Sequence, residues 1–395
     1  MSSIKGLKVA ADIGNGFSKV AIDGQRLMLE PSIIAKVTHE IPKSESVDDQ
    51  EVLNELSDNL DITIQSALSM NGRYMIGNAA LRTSFGQMSF NIGANADKAH
   101  QDITLVMSLS MIALGVMERF KGKTIPEQID VEVEELATAL PLIEAATKSH
   151  REDLKFRYEK TTHIITINNF NKPVTLHIHV KEALIASEGV IGNVALVYNP
   201  HTGKYREPAF YQEFTKNYKL TKFNGKSILE LNNIVGIDIG DGTVDISVVG
   251  RGLKLLNAES QYIDAGIGNV LDSAMQQLRQ QSNLSINSRQ VFIKQALKND
   301  KRGEYFQNLI NENLPIIENQ ITEKLKRIYQ DLNGDIDLIY FHGAGANMIK
   351  DQYTKLLSEF LKTVDIFENT KVLWLKKEDS QWLNLEGLQV RLLTL

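Results

Sequence analysis

One pattern occurs twice in this chain, and it limits the possible folds more than any other feature. Val9-Ala10-Ala11-Asp12-Ile13-Gly14-Asn15-Gly16 and Val235-Gly236-Ile237-Asp238-Ile239-Gly240-Asp241-Gly242 each run from apolar residues to an aspartate and then to a Gly-x-Gly step. A second apolar run follows each copy, Phe17 to Ile22 and Val244 to Val249, so each copy reads as a β-hairpin. One Asp-Gly or Asn-Gly step alone would need no explanation beyond closing a turn. Two copies sharing Asp-Ile-Gly-x-Gly at matching strand ends point to two related domains, and two copies are too few for a solenoid.

The rest of the chain fits that reading. At 395 residues it is too long for one core, and 43% hydrophobic with 23% charged residues is ordinary for a globular protein. The formal net charge of -6 argues against direct nucleic-acid binding by the whole surface. Without cysteine there is neither a disulfide nor a Cys-ligated zinc. Met1 to Gly6 lacks the basic-then-apolar run of a secretory signal, and the longest apolar block, Ile103 to Val116, is broken by Thr104, Ser108 and Ser110 and reads as a buried helix. The expectation is a cytoplasmic protein that does not bind membrane.

Strands are expected at Tyr74 to Gly77, Asp130 to Leu142, Ile164 to Ile167, Val174 to Val180 and Ile336 to Phe341. Helices are expected over Gln101–Phe120, Lys148–Tyr158, Ala183–Val197, Gly268–Gln281, Asn287–Lys298 and Tyr305–Leu332, with a strand and then a helix in the tail from Lys371. Thr38 to Asp61 and Tyr198 to Asn232 read as surface excursions, and Lys298 to Arg302 as an exposed loop. His163, His177 and His179 alternate on strands without metal-ligand partners. The alternation of strands and helices gives an α/β fold.

Chemistry concentrates at the two hairpins. Glycine lets backbone N–H groups approach and surround an anion, so two such turns facing each other would clasp a polyphosphate. Asp12 and Asp238 would repel the phosphates themselves and instead suit a hydrated Mg²⁺, each acting through its water. Lys19 is placed to direct its ammonium at the phosphates, and Thr243 adds a hydroxyl.

At this point the chain resembles a known family. Asp12-Ile13-Gly14-Asn15-Gly16-Phe17-Ser18-Lys19 resembles the first phosphate loop of the actin superfamily, and Asp238-Ile239-Gly240-Asp241-Gly242-Thr243-Val244-Asp245 resembles the second. Phe341-His342-Gly343-Ala344-Gly345-Ala346 resembles its adenosine motif, although Ala344 stands where the family often has glycine. Thr138-Ala139-Leu140-Pro141-Leu142, Tyr74-Met75-Ile76-Gly77-Asn78-Ala79-Ala80 and Asn384-Leu385-Glu386-Gly387-Leu388 resemble segments of the plasmid-segregation branch, the ParM and StbA type.

The resemblance implies a duplicated, ribonuclease H-like actin fold with two domains flanking a nucleotide cleft. Residues 1–184 plus 365–395 would form domain I, with a variable subdomain over about 30–95, and residues 185–364 domain II, with an insertion over about 198–232. It implies an ATPase, with GTP as the other nucleotide to weigh, that needs Mg²⁺ and couples hydrolysis to polymerisation. Its partners would be copies of itself in a cytoskeletal filament and a DNA-bound partition adaptor. A cell-shape or division actin and a sugar kinase-like ATPase are the competing readings. For a heat-shock chaperone ATPase, the long extension after the core is expected and not found.

Residue by residue, Glu188 would orient the attacking water, with Asp238 assisting, while a helix-start carboxylate is the plainer reading of Glu188. Glu144 is a weaker competitor, expected at the surface. Gly266 and Gly268 resemble the turn beneath the nucleotide sugar, and Arg289 and Lys294 lie where the family places polar groups against purine and ribose.

Overall fold

The computed structural model describes residues 2–29, 31–41, 48–67, 70–91, 97–282, 284–286 and 288–394. They form two compact units, one taking in Met1–Asn91, Asn95–Lys204 and Asn384–Leu395, the other Tyr205–Leu383. Each has its own apolar core.

The first unit is built on a ten-stranded sheet of β1 (Ser2–Ile13), β2 (Ser18–Ile22), β3 (Gln25–Leu29), β4 (Ile33–Lys36), β5 (Asp61–Gln65), β6 (Gly72–Ile76), β7 (Gln87–Ser89), β8 (Gln128–Leu140), β9 (His163–Ile167) and β10 (Val174–Ser187), in the order β3-β2-β1-β8-β10-β9-β5-β6-β4-β7. In the second unit β11 (Asn233–Ile239), β12 (Val244–Gly250), β13 (Lys254–Leu255), β15 (Leu338–His342) and β16 (Lys371–Trp374) order as β13-β12-β11-β15-β16, and β14 (Gln261–Ile263) pairs with β12. The two orders correspond. In each, an antiparallel three-strand meander is followed by two strands running parallel to its first: β8 and β10 in one sheet, β15 and β16 in the other. The sequence repeat is therefore a duplicated sheet, and in both copies the Asp-Ile-Gly-x-Gly segment joins the first two strands.

The central strands are apolar and fully buried, as parallel strands covered on both faces require. The helix Asp102–Met117 packs on β2, and with the turn that extends it to Phe120 it is long and apolar enough to cross a membrane, yet every residue from Ile103 to Met117 is buried in the first unit. A Cβ on its Gly115 would meet Ile22 Cδ1 at 2.5 Å, so glycine sets that close approach.

Several expectations are corrected. The units part after Lys204 and Leu383, not after residues 184 and 364. The helix Glu188–Val197 packs against β8 and β10 and so stays with the first unit, while β16 pairs with β15 and so stays with the second. The helix expected from Ala183 begins at Glu188, because Ala183 to Ser187 continue β10 and pair residue by residue with Leu136 to Leu140. The single helix over Tyr305–Leu332 is two, Lys301–Asn313 and Pro315–Asp331, divided where Pro315 takes the first position of the second. Lys301 and Arg302 begin a helix and are not part of a loop.

The supposed excursions are folded. Residues 42–47 lie outside the described residues, but Asp49–Asn54 and Leu56–Asn59 are helical, with Leu53, Leu56 and Leu60 buried. In the stretch from Tyr198 to Asn232, Tyr211, Phe214 and Ile228 are buried, with Phe210, Tyr211, Phe214, Tyr218 and Phe223 in ring contact. Asn287, the expected start of one helix, also lies outside the described residues, and that helix is Arg289–Ala296. The C-terminal helix Leu383–Thr394 buries Leu385, Leu388, Val390 and Leu392, and its Gly387 lies so close to the Ile191 carbonyl that any side chain would collide with it.

Candidate functional site

In the first unit, Asp12 is the penultimate residue of β1 and is only 4% exposed. The chain reverses through a turn closed by Gly14 N donating to the Phe17 carbonyl at 3.0 Å. A Cβ on Gly14 would lie 2.9 Å from that carbonyl oxygen, which is why the turn takes glycine. Among the described residues, the amides of Asn15 and Gly16 make no hydrogen bond. They are two unspent donors beside a strand end, the arrangement that suits a phosphate. On the return strand Lys19 Nζ pairs with Asp12 Oδ2 at 2.7 Å. Thr138 on β8 donates its hydroxyl to the Ala11 carbonyl at 2.7 Å, tying the hairpin to the neighbouring parallel strand.

Glu188 opens its helix with Ser187 as N-cap residue, and its side chain is mostly buried. Lys98 holds it, with Nζ 2.5 Å from Glu188 Oε1. Lys98 is itself buried, and Glu144 accepts from the backbone N–H groups of Lys98 at 3.0 Å and Ala99 at 3.1 Å. Burial works to lower the Lys98 pKa, but Glu188, and behind it Asp12 and Glu144, outweigh burial and raise it. Asp12 therefore acts electrostatically on the lysine that grips Glu188. The structure brings the first hairpin and Glu188 into one charged cluster within this unit. Glu144, expected at the surface, is buried because it anchors the Lys98 turn.

In the second unit, Gly240 N donates to the Thr243 carbonyl at 2.9 Å, repeating the closure at Gly14, and the amides of Asp241 and Gly242 are again without partners among the described residues. Three segments converge on this hairpin. The Gly266–Gly268 turn docks on it through Ile267 N to the Gly240 carbonyl at 2.9 Å and Gly268 N to the Asp241 carbonyl at 2.8 Å. Side chains at Gly266 and Gly268 would strike Asp241 and, at Gly268, the Arg289 guanidinium. Arg289 pairs with Asp241 at 2.5 Å and with Asp272 at 2.5 Å. Burial raises the Asp241 carboxyl, and Arg289 draws it back.

The third segment is the glycine-rich turn after β15. Gly345 N donates to the Ile239 carbonyl at 2.9 Å, and Gly343, at φ +87°, packs against the Asp238 carboxylate with no room for a side chain. Buried His342 lies with Nδ1 3.7 Å from Asp238 Oδ1. Ala344 stands beside Gly345 in this turn, and Ala346 is buried at the start of the following helix. The expected residues of the second half, Asp238, Gly240, Asp241, Gly242, Thr243, Gly266, Gly268, Arg289, Gly343, Ala344, Gly345 and Ala346, thus share one neighbourhood. Lys294 does not join them; it is exposed on the Arg289–Ala296 helix with no ion pair among the described residues.

Lys98, Asp272 and Ser380 were not anticipated. Ser380 donates its hydroxyl to the Gly343 carbonyl at 2.9 Å. None of the three sits in a recognisable local pattern. His163, read as a strand histidine without metal-ligand partners, is buried on β9 and bonded to Ser66 and the Tyr158 carbonyl, a structural role.

Comparison with known proteins follows the same division. A family model described as the N-terminal domain of actin-like proteins matches residues 10–190, and one described as the C-terminal part of an archaeal, MreB-like actin homologue matches residues 236–355. Among curated proteins none matches. The actin-like protein Alp7A aligns with TM-score 0.71 and 17% identity over 98% of this chain and 96% of its own. Bacillus thuringiensis ParM with ATP aligns with TM-score 0.63 and 14% identity over 99% of each chain. A non-polymerisable quadruple mutant of pCBH ParM aligns with TM-score 0.61 and 16% identity over 98% of this chain and 99% of its own.

Proposed function

This chain belongs to the actin superfamily, and from that premise we propose that it is an Mg²⁺-dependent ATPase whose nucleotide state governs its assembly into filaments that segregate plasmid DNA. The observation that carries the proposal is the duplicated hairpin, with open turn amides beside a strand-end carboxylate in both copies. Amides so placed stabilise phosphate oxygens without a counter-charge that must be reorganised. The ParM structure with ATP supports ATP as the nucleotide, and the pCBH ParM variant made non-polymerisable supports assembly as the outcome.

The chain's own residues divide the work. Asn15, Gly16, Asp241 and Gly242 offer amides, and Lys19 offers a positive charge. Glu188, ion-paired with Lys98, orients the attacking water and accepts its proton. Asp12 in the first unit and Asp238 in the second would each offer a carboxylate to the water shell of Mg²⁺, which would supply charge neutralisation at the phosphates. Arg289 fixes the second hairpin by its ion pair with Asp241, is itself held by Asp272, and would lie toward the base and sugar of a bound nucleotide. Filament subunits would meet head to tail, the heterologous contact that yields open helical assemblies. A DNA-bound adaptor would couple filament ends to the plasmid.

Sedimentation with Mg²⁺ and ATP, with Mg²⁺ and ADP, and with Mg²⁺ alone tests this. The expected result is pelleting in ATP that is lost in Asp238→Ala. Pelleting indifferent to nucleotide, or ATP turnover unchanged in Asp238→Ala, would sink the reading.

A further inference from the structure

The short turn that carries Lys98 also meets the helix Lys148–Glu159, and there it assembles a second polar cluster. Arg157 fastens the turn to that helix, donating to the Ala99 carbonyl at 2.7 Å and pairing with Asp102 at 2.6 Å. His150, Asp153 and Arg157 are spaced so that they share one helix face. On that face His100 is held at both ring nitrogens, with Nδ1 2.6 Å from Asp97 Oδ2 and Nε2 3.1 Å from Asp153 Oδ2. The His150 ring stands edge-on to His100 with centroids 5.5 Å apart, and its Nδ1 is buried with no hydrogen-bond partner among the described residues. One ligand atom each from Asp97, His100 and His150 lies within 4.8 Å of the others.

We propose that Asp97, His100 and His150 form a binding site for one divalent transition-metal ion of the zinc class. Two imidazoles and a carboxylate are the donor set such ions take, whereas Mg²⁺ and Ca²⁺ favour all-oxygen shells. Asp153 supplies the outer shell. Accepting the Nε2 proton of His100, it leaves Nδ1 as the ligand atom, facing Asp97, and it orients the ring. The orphaned nitrogen of His150 gains a partner in the same step. Tetrahedral ligation at about 2.0–2.2 Å places donors roughly 3.3 Å apart, so the three side chains need only adjust their rotamers, the 2.6 Å contact of His100 with Asp97 opening to admit the ion, with water in the fourth position. The backbone needs no rearrangement, because Arg157 already fixes turn to helix.

The test uses the full chain, stripped of metal and free of nucleotide and Mg²⁺, titrated with Zn²⁺ by calorimetry and with Co²⁺ by visible absorption. One equivalent is expected to bind with a raised Tm and a tetrahedral Co²⁺ spectrum. His150→Ala should abolish that spectrum, and Asp153→Asn should weaken binding by about 10- to 100-fold. Asp97→Asn, a change at a half-exposed side chain, serves if His150→Ala does not fold. No bound equivalent, or stoichiometry and affinity unchanged across these variants, would overturn the site and leave His100 as a structural bridge between two carboxylates.

Discussion

Replacing Lys98 by Met tests the cluster around Glu188 most directly. The substitution keeps an unbranched apolar stem and removes the ammonium that lies 2.5 Å from Glu188 Oε1. Both partners are buried, with the Lys98 and Glu188 side chains 6% and 13% exposed, so water does not replace the lost charge. Breaking a buried pair from one side costs about 3–5 kcal/mol, a large share of the stability of a typical domain. The double variant Lys98→Met, Glu188→Gln should recover most of that loss, because it no longer buries an uncompensated carboxylate. Urea unfolding of the wild type, both single variants and the double variant measures the coupling.

Activity adds a second readout. Without Lys98 the Glu188 carboxylate is harder to keep ionised, so the acid limb of the ATPase pH profile should move to higher pH and turnover at neutral pH should fall by about tenfold or more. The lysine's own titration does not confuse the measurement. Its pKa is raised in the folded state, so its contribution is complete below the unfolded value of 10.5 and is lost only as pH climbs through the higher folded value. A Lys98→Met protein within about 0.5 kcal/mol of wild type, with an unshifted acid limb, would refute the assignment of Lys98 as the group that positions Glu188.

Three further outcomes follow from single contacts. Glu318 is buried with Oε1 unpartnered, and burial pushes its carboxyl up to about 7 although Gln352 donates to it. The folded state thus favours the protonated acid, and stability falls as pH rises from the unfolded value of 4.5 through about 7; Glu318→Gln should be the more stable protein at pH 8, by on the order of 2 kcal/mol, and equal to wild type at pH 4, as thermal melts would show. Gly387→Ala drives a methyl into the Ile191 carbonyl and should destabilise by about 1–3 kcal/mol in urea titration, and a neutral result would mean that the C-terminal helix can slide. Arg289→Ala removes the partner of both Asp241 and Asp272 and should weaken ATP binding by about tenfold, near 1.4 kcal/mol, in a fluorescent-nucleotide titration; unchanged affinity would remove Arg289 from the site.

What could be read from the sequence was local. Asp12 and Asp238 stood out because one stretch of eight residues carries the apolar strand, the carboxylate and the permissive turn together, and the duplicated sheets repeat that stretch at equivalent positions. The segment Asn384 to Leu388 was legible only through its resemblance to the plasmid-segregation branch, and the structure shows its Gly387 against the Ile191 carbonyl. Misreadings arose where distant pairing decides the outcome. Ala183 to Ser187 has helix-forming composition, yet it is strand because each residue finds a partner on β8, and the helix waits until Glu188, where β8 gives way at Pro141.

Lys98 is the extreme case. Nothing beside it in the chain marks it, and its meaning comes from Glu188, ninety residues later, and from Glu144, which holds its backbone. A lone lysine is read as solvated because lysines usually are. Only the placement of carboxylates from two other segments makes its burial tolerable, and that same placement ties it to Glu188, the residue proposed to orient the water. The turns proposed to hold phosphate are written in glycine and can be found one motif at a time. The cluster proposed to prepare the water is held by charges drawn from separate segments, so a substitution there should register in stability and in the pH profile together, whereas a hairpin glycine substitution should register first in nucleotide affinity.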